Sequence, residues 1–258
     1  MIERHVEIPT ASGAMETFIT HPVENSPFPP VILYMDVWGL REELFDIARR
    51  IATVGYCCMV PDLYYRQGRV RHEYRDERGR MISMELLDEE RKEIVRKPMR
   101  ALTDAMVVDD TRALLAFIDR DEAAGSGHIG VIGYCMGGRH VFRVAGEFPH
   151  RIRASASLHG TRLVTDGADS PHLSAMKAMG ELYCGFAEKD PYAPLSTVNT
   201  LAECFANANV EYRYELHRGA EHGYALPDRD IYDKQATNRD WELIFAMFHR
   251  QIPPYSAG

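Results

Sequence analysis

The chain has 258 residues, and its 38 acidic against 30 basic side chains give a net charge of −8 at pH 7. This balance argues against binding to nucleic acid, and no apolar run approaches the length of a membrane span. Hydrophobic residues make up 45% of the chain, which is enough for the core of one large domain, predicted to span residues 1–258. The N-terminus lacks an export signal, and the five cysteines lack metal-like spacing, so we expect a cytoplasmic protein without a metal.

Predicted strands and helices alternate along most of the chain. An antiparallel pair comes first, and each later strand is followed by a helix or a long loop. This alternation predicts an α/β fold with a mostly parallel central sheet and helices on both of its faces. The predicted strands are 6–8, 15–20, 31–34, 57–60, 128–132, 154–158, 182–186 and 211–216, and the predicted helices are 42–54, 101–119, 139–148, 195–206 and 230–251.

One charged segment, residues 63–100, interrupts the alternation. It contains eleven basic side chains, is partly helical, and has Pro98 as the expected end of its helical part. One reading is a solvated surface on which the charges pair with one another. The other is a short cap over a pocket that attracts anionic substrates, and both readings stay open at this point.

The most informative motif is Gly133-Tyr134-Cys135-Met136-Gly137, which follows a short apolar strand and precedes a helix. It has the G-x-nucleophile-x-G pattern of the nucleophile elbow of α/β-hydrolases, with cysteine where serine usually stands. The flanking glycines leave room for the sharp turn that exposes the central side chain. The motif therefore predicts that Cys135 is a nucleophile; the alternative is a glycine-rich turn with a buried cysteine.

Two later segments supply the partners that such a nucleophile needs. Asp190 follows a predicted strand, and His222 follows the next one along the chain. The order nucleophile, acid, histidine is the one found in α/β-hydrolases. Histidine can accept the thiol proton and return it to a leaving group, while the carboxylate orients the imidazole. We therefore predict a Cys135–His222–Asp190 triad at the carboxyl ends of the strands.

With these motifs the chain resembles the dienelactone hydrolase family over nearly its whole length. The segment Leu33-Tyr34-Met35-Asp36-Val37-Trp38-Gly39 is similar to the family segment that carries a glutamate, an aliphatic residue, an aromatic residue and a glycine. The resemblance implies an oxyanion hole formed by the N–H groups of Val37 and Met136. It also implies that Asp36 lies beside the resting thiol and modulates it, although aspartate is one methylene shorter than glutamate. A carboxylate that caps the next helix is the alternative for Asp36.

The resemblance implies hydrolysis of small lactones or carboxylic esters through a thioester on Cys135, without a cofactor. A family arginine that holds a substrate carboxylate falls on Leu226 here, with Arg229 nearby, and a second falls nearest to Arg91. The absence of an arginine at position 226 predicts a broad esterase or lactonase with a mild preference for carboxylated substrates. Aromatic residues expected to line the pocket are Trp38, Tyr134, His159 and Tyr192; each could equally belong to the core.

Three alternatives stay open. The first is a promiscuous esterase that hydrolyses other activated esters and has no role with dienelactones. The second is a non-catalytic ligand-binding protein of the same fold, which would be expected to lack part of the triad. The third is a redox-active thiol, which would require a resolving cysteine, and the chain has no C-x-x-C motif. The expected partner is a small-molecule ester or lactone, and the expected oligomeric state is monomer or homodimer.

Overall fold

The protein contains one eight-stranded sheet, described here from a computed structural model that covers residues 1–24 and 26–254. Its strands are β1 (Ile2–Thr10), β2 (Gly13–His21), β3 (Pro30–Tyr34), β4 (Cys57–Pro61), β5 (Ile129–Tyr134), β6 (Ile152–Leu158), β7 (Glu181–Lys189) and β8 (Tyr212–Glu221). They lie in the order β1-β2-β4-β3-β5-β6-β7-β8. Strand β2 pairs antiparallel with β1 and β4, and the pairs from β4 to β8 are parallel. The predicted α/β fold with a mostly parallel sheet is confirmed.

Seven α-helices accompany the sheet in the described part of the chain. They are α1 (Glu42–Ala52), α2 (Glu89–Ala101), α3 (Asp104–Ile118), α4 (Met136–Glu147), α5 (Pro171–Ala175), α6 (Leu195–Asn207) and α7 (Lys234–Gln251). Two short 3-10 helices, Tyr65–Gln67 and Met84–Leu86, lie in the insertion between β4 and α3. Within the described residues, no helix combines the length and the apolar character needed to cross a bilayer.

The central strands are buried because their side chains are apolar on both faces. All residues of β3, β4 and β5 are buried, as expected for parallel strands that are covered by helices on both sides. The parallel strands all end at the same edge of the sheet, so the loops that follow β3, β5, β7 and β8 gather there. That edge carries the predicted catalytic residues.

The insertion departs from the sequence prediction at Pro98. Helix α2 does not stop there but continues to Ala101, and the proline carbonyl accepts hydrogen bonds from the N–H of Leu102 and from the side chain of Gln67. Proline removes a donor from a helix but keeps its acceptor, so a final helical turn remains possible. A second small hydrophobic cluster, separate from the main core, joins the insertion to the sheet edge through Met81, Leu87, Val95, Val37 and Trp38.

Candidate active site

Cys135 occupies the turn between β5 and α4 in an unusual backbone conformation. Its φ of 55° and ψ of −113° lie in a region that non-glycine residues rarely adopt. A side chain at Gly133 would place Cβ 2.3 Å from the carbonyl oxygen of Gly137, and one at Gly137 would place it 2.4 Å from that of Tyr34. Both glycines are therefore required sterically. Strain of this kind is concentrated at functional sites, and here it exposes the thiol at the sheet edge.

The loops after β7 and β8 bring Asp190 and His222 to the same place. Nδ1 of His222 lies 2.7 Å from Oδ2 of Asp190, and the other carboxylate oxygen accepts hydrogen bonds from the N–H groups of Tyr192 and Ala193. Cys135 and His222 line the same cavity. Burial opposes a charge on His222, but a Cys135 thiolate and the Asp190 carboxylate outweigh it and raise the pKa of His222 to about 10. The geometry brings the three predicted triad residues together.

The two predicted oxyanion-hole residues flank Cys135. Val37 follows β3, and Met136 is the first residue of α4. Among the described residues, neither of their backbone N–H groups donates a hydrogen bond within the protein. Both residues contact the buried hydroxyl of Tyr64, which donates to the Val37 carbonyl at 3.1 Å and lies 3.6 Å from the Met136 sulfur. Tyr64 was not predicted, because it lies in the loop after β4 and has no local motif.

The Asp36 carboxylate is held by an arginine of its own loop. Its carboxylate accepts two hydrogen bonds from Arg41, at 2.7 and 2.9 Å, and one from the N–H of Trp38. Within the described part of the chain it has no hydrogen bond to Cys135. Arg41 is also paired with Asp228 at 2.6 Å, so the two carboxylates share one buried guanidinium. The shorter aspartate side chain keeps its charge near the backbone of its own loop, within reach of Arg41.

A cavity of about 140 Å³ opens beside Cys135. Of the predicted pocket residues, Trp38, Tyr192 and Arg229 line it. Arg229 is 5% exposed, its guanidinium lies 5.3 Å from the Trp38 ring, and within the described residues it has neither an ion pair nor a side-chain hydrogen bond. A buried charge without a partner is costly, so the protein holds this cation against the cavity at an energetic cost.

Three other predicted pocket residues are corrected by the structure. Arg91 is exposed, pairs with Asp88 and lies outside the cavity; Arg96, one turn before Met99 on the same helix, lines it instead. Tyr134 is fully buried in the main core. His159 is fully buried, its ring centre lies 5.0 Å from that of His222, and burial lowers the pKa of His159 well below the ordinary value. Neither of these aromatic residues lines the cavity.

The insertion covers the site and is fastened to the loop that carries Arg229. The backbone of Met81 donates to the Asp228 carbonyl and accepts from the Asp230 N–H, at 2.7 and 3.0 Å. Across the mouth of the cavity, the Tyr192 hydroxyl donates to Glu85 at 2.9 Å. These direct contacts with the two loops that follow β7 and β8 support the prediction that residues 63–100 form a cap.

No cluster of histidine, cysteine and acidic side chains with metal-binding geometry occurs in the residues that the structure describes. All five cysteines are free thiols, and three of them, Cys57, Cys58 and Cys184, are buried. Burial raises the pKa of Cys57 to about 12 and that of Cys58 well above its ordinary value.

Comparison with known proteins agrees with this geometry. Residues 15–252 match the model of the dienelactone hydrolase family. The chain belongs to the dienelactone hydrolase family. Family membership makes it a hydrolase of carboxylic esters or lactones.

Individual relatives are distant but match over nearly full length. A "Putative carboxymethylenebutenolidase" of Methylorubrum extorquens is 24% identical over 97% of this chain and 81% of its own. A "Probable 2-oxo-3-(5-oxofuran-2-ylidene)propanoate lactonase" of Bradyrhizobium is 21% identical over 95% and 93%. The solved structure of a "Putative Dienelactone Hydrolase" from Klebsiella pneumoniae superposes with a TM-score of 0.83 at 23% identity, covering 96% of this chain and 98% of that one. At this identity, the likeness to the solved structure concerns the fold.

Proposed function

We propose that this protein hydrolyses small carboxylated lactones or esters through a thioester on Cys135. The observation that carries the proposal is the unpaired, buried Arg229 guanidinium in the same cavity as Cys135 and His222. The triad supplies a nucleophile and a base, and the guanidinium supplies a partner for a substrate carboxylate.

In the first step the Cys135 sulfur attacks the ester carbonyl, and the N–H groups of Val37 and Met136 stabilise the oxyanion. An aligned donor of this kind typically contributes about 3–4 kcal/mol. The carbon–oxygen bond to the leaving group then breaks, and the leaving oxygen takes a proton from His222. For a lactone, the leaving group stays attached to the acyl part, so ring opening leaves the whole product on the sulfur.

In the second step His222 removes a proton from water, and the resulting hydroxide attacks the thioester carbonyl. The carbon–sulfur bond breaks, the carboxylic acid is released, and Cys135 regains the ion-paired state with His222. Asp190 holds the imidazole through its Nδ1 in both steps, which keeps Nε2 available for proton transfer.

The role of Arg229 changes the expected substrate preference. The arginine that the family places at the fourth position after the histidine is Leu226 here, which is buried and apolar. Arg229 lies three residues further on, and its backbone N–H donates to the Leu226 carbonyl. The turn closed by this hydrogen bond places the Arg229 guanidinium at the cavity. A desolvated arginine recognises a carboxylate through paired hydrogen bonds. We therefore propose a strong preference for anionic substrates where the sequence predicts a mild one.

The decisive test is detection of the acyl-enzyme. The protein is mixed with 4-nitrophenyl acetate, quenched in acid within the first turnovers, digested and analysed by mass spectrometry. We expect acetylation of Cys135, with the half-buried thiol of Cys204 as an internal control that stays unmodified. Cys135→Ala should show neither the adduct nor turnover. Turnover with no adduct on Cys135 at any quench time, or with the adduct on Cys204, would refute the thioester mechanism.

A further inference from the structure

A second cavity adjoins the catalytic one. It has a volume of about 450 Å³ and lies between the start of α3, helix α4 and the loop after β6. The two cavities share Met99, Thr161 and Arg162. The catalytic cavity alone, at about 140 Å³, lies below the usual range for ligand sites, roughly 300–1,000 Å³, whereas both together fall within it. A substrate larger than a simple lactone can therefore extend from one cavity into the other.

The second cavity is lined by more cations than anions. Its lining includes four arginines and two aspartates. Asp104 pairs with both Arg139 and Arg143, and Arg100 pairs with Glu93 outside the lining. Asp104 thus carries one negative charge for two arginines, and Asp169 has no ion pair among the described residues, so the lining together with Glu93 keeps one net positive charge. Of the four arginines, Arg162 is the one without an ion pair in the described part of the chain.

Arg162 lies where the two cavities meet and has an unusual backbone conformation. Its backbone φ is 51°, a left-handed value that is uncommon for a residue with a long side chain. The backbone is held there by Arg139, which donates a hydrogen bond to the Arg162 carbonyl at 2.8 Å. Arg162 is exposed, and among the described residues its side chain has no ion pair and no hydrogen bond. Because it lines both cavities, its guanidinium is free to pair with an anion that occupies them.

A second observation on the same cavity also favours a polar ligand. His140 is 2% exposed and lines the cavity, and both of its ring nitrogens lack a hydrogen-bond partner within the described residues. Its nearest charged neighbour, Asp104, is 3.5 Å away, which is too long for a good hydrogen bond. Buried polar atoms are normally paired, and a ligand oxygen would satisfy an N–H of this ring.

We propose that Arg162 and the adjoining cavity form a second anion subsite, so that the preferred substrates carry two anionic groups. The first is a carboxylate at Arg229, next to the reacting ester, and the second is a carboxylate or phosphate at Arg162. This inference rests on the proposed function only for the position of the reacting end. The second charge selects substrates by length, because it must span the distance between the two arginines.

Binding can be measured without turnover in the full-length Cys135→Ala variant by isothermal titration calorimetry. The ligands are α,ω-dicarboxylates from succinate to suberate, each paired with its monomethyl ester of the same length. We expect the second charge to tighten binding by about tenfold at one or two chain lengths and to contribute little at the shortest. Phosphonocarboxylates of the same lengths distinguish the two anions, since tighter binding than the dicarboxylate identifies a phosphate subsite.

Arg162→Gln in the same background should remove the gain from the second charge, leaving diacid and monoester within about twofold of each other. Arg120→Gln is the matched control, because Arg120 is exposed and lies outside both cavities, and it should retain the gain. Absence of a gain at every length, or a gain that survives Arg162→Gln, would overturn the subsite. Because no turnover is involved, this result is independent of whether Cys135 forms a thioester in the wild-type protein.

Discussion

Arg41 lies 2.7 Å from Asp36 inside the protein, and the same guanidinium holds Asp228 at 2.6 Å. One cation thus connects the segment that carries Val37 to the loop that carries Arg229, and both of these residues line the cavity beside Cys135. Burial opposes the charge on Arg41, but the two carboxylates outweigh it and raise its pKa further above the ordinary value. The relative position of Val37 and Arg229 depends on this residue.

Replacement of Arg41 by methionine should destabilise the fold strongly. It leaves two buried carboxylates without a cation, and removal of one partner from a buried pair typically costs about 3–5 kcal/mol. Urea denaturation measures the change in the free energy of unfolding. Arg112→Met is the control, because its pairs with Asp109 and Glu147 are exposed and contribute under about 1 kcal/mol. Equal losses in the two variants would contradict the importance of the buried pair.

The Arg41 contact also bears on the proposed modulation of the thiol by Asp36. Asp36 and Asp228 share one guanidinium, so the three groups together carry one net negative charge. Asp36→Asn removes that charge and leaves Arg41 and Asp228 as a neutral pair, so it should increase the rate of Cys135 alkylation by iodoacetamide at pH 7 by about three- to tenfold. Alkylation of Cys204 in the same sample corrects for general effects. An unchanged rate would show that the Asp36 charge does not act on the thiol.

His222 should stay protonated through neutral pH and lose its proton only near pH 10. Its pKa is raised, so the charged imidazolium dominates below that value and the neutral ring above it. Cys135→Ala removes a negative charge beside the ring, and this must lower the pKa of His222. Asp190→Asn is a second variant that should lower the pKa of His222, because it removes the negative charge that stabilises the imidazolium. NMR titration of the imidazole nitrogens measures both shifts. An unchanged His222 titration in Cys135→Ala would exclude the ion pair.

Arg229→Gln should reduce kcat/KM for a carboxylated lactone by about one hundredfold, since a charged hydrogen-bonded pair typically contributes 1.5–3 kcal/mol. The neutral methyl ester of the same lactone lacks that interaction and should lose far less. The measurement is the ratio of the two kcat/KM values at low and high salt, because a buried pair is screened much less than a surface one. Arg91→Gln, at an exposed position outside the cavity, should leave this ratio unchanged. Equal reductions of kcat/KM for the two substrates would assign Arg229 a structural role.

Tyr64→Phe should lower kcat for ester hydrolysis by about tenfold, with little effect on KM. The hydroxyl donates to the Val37 carbonyl and contacts the Met136 sulfur, so its loss loosens the two residues whose N–H groups are the proposed oxyanion donors. An effect confined to kcat indicates loss of an interaction made in the transition state. Tyr65→Phe, whose hydroxyl bonds Thr10 and Asp110 away from the site, is the matched control. A loss of activity that tracks a loss of thermal stability would instead indicate a general structural effect.

Features that depend on local sequence were predictable. Short motifs indicate the elbow glycines, the order of the three triad residues along the chain, and Trp38 as an aromatic residue of the pocket. The choice between Arg91 and Arg96 could also have been made from helical geometry: Arg96 and Met99 share a face of α2, whereas Arg91 lies five residues away, about 140° around the axis. Contacts between distant segments were not predictable. The pairing of Arg41 with Asp228 joins residues 187 positions apart, and no motif marks either one.

The backbone pairing of Met81 with Asp228 and Asp230 has a consequence for protein engineering. The insertion alone could be exchanged in order to transfer the specificity of another enzyme. Such an exchange would disturb two backbone hydrogen bonds of the segment that begins at His222 and contains Arg229. Residues 63–100 and 222–233 therefore form one transplantable unit, and a chimera should exchange them together. For the same reason, substitutions in the insertion that shift Met81 are expected to shift the segment that follows His222 as well, so that substrate range and turnover change together.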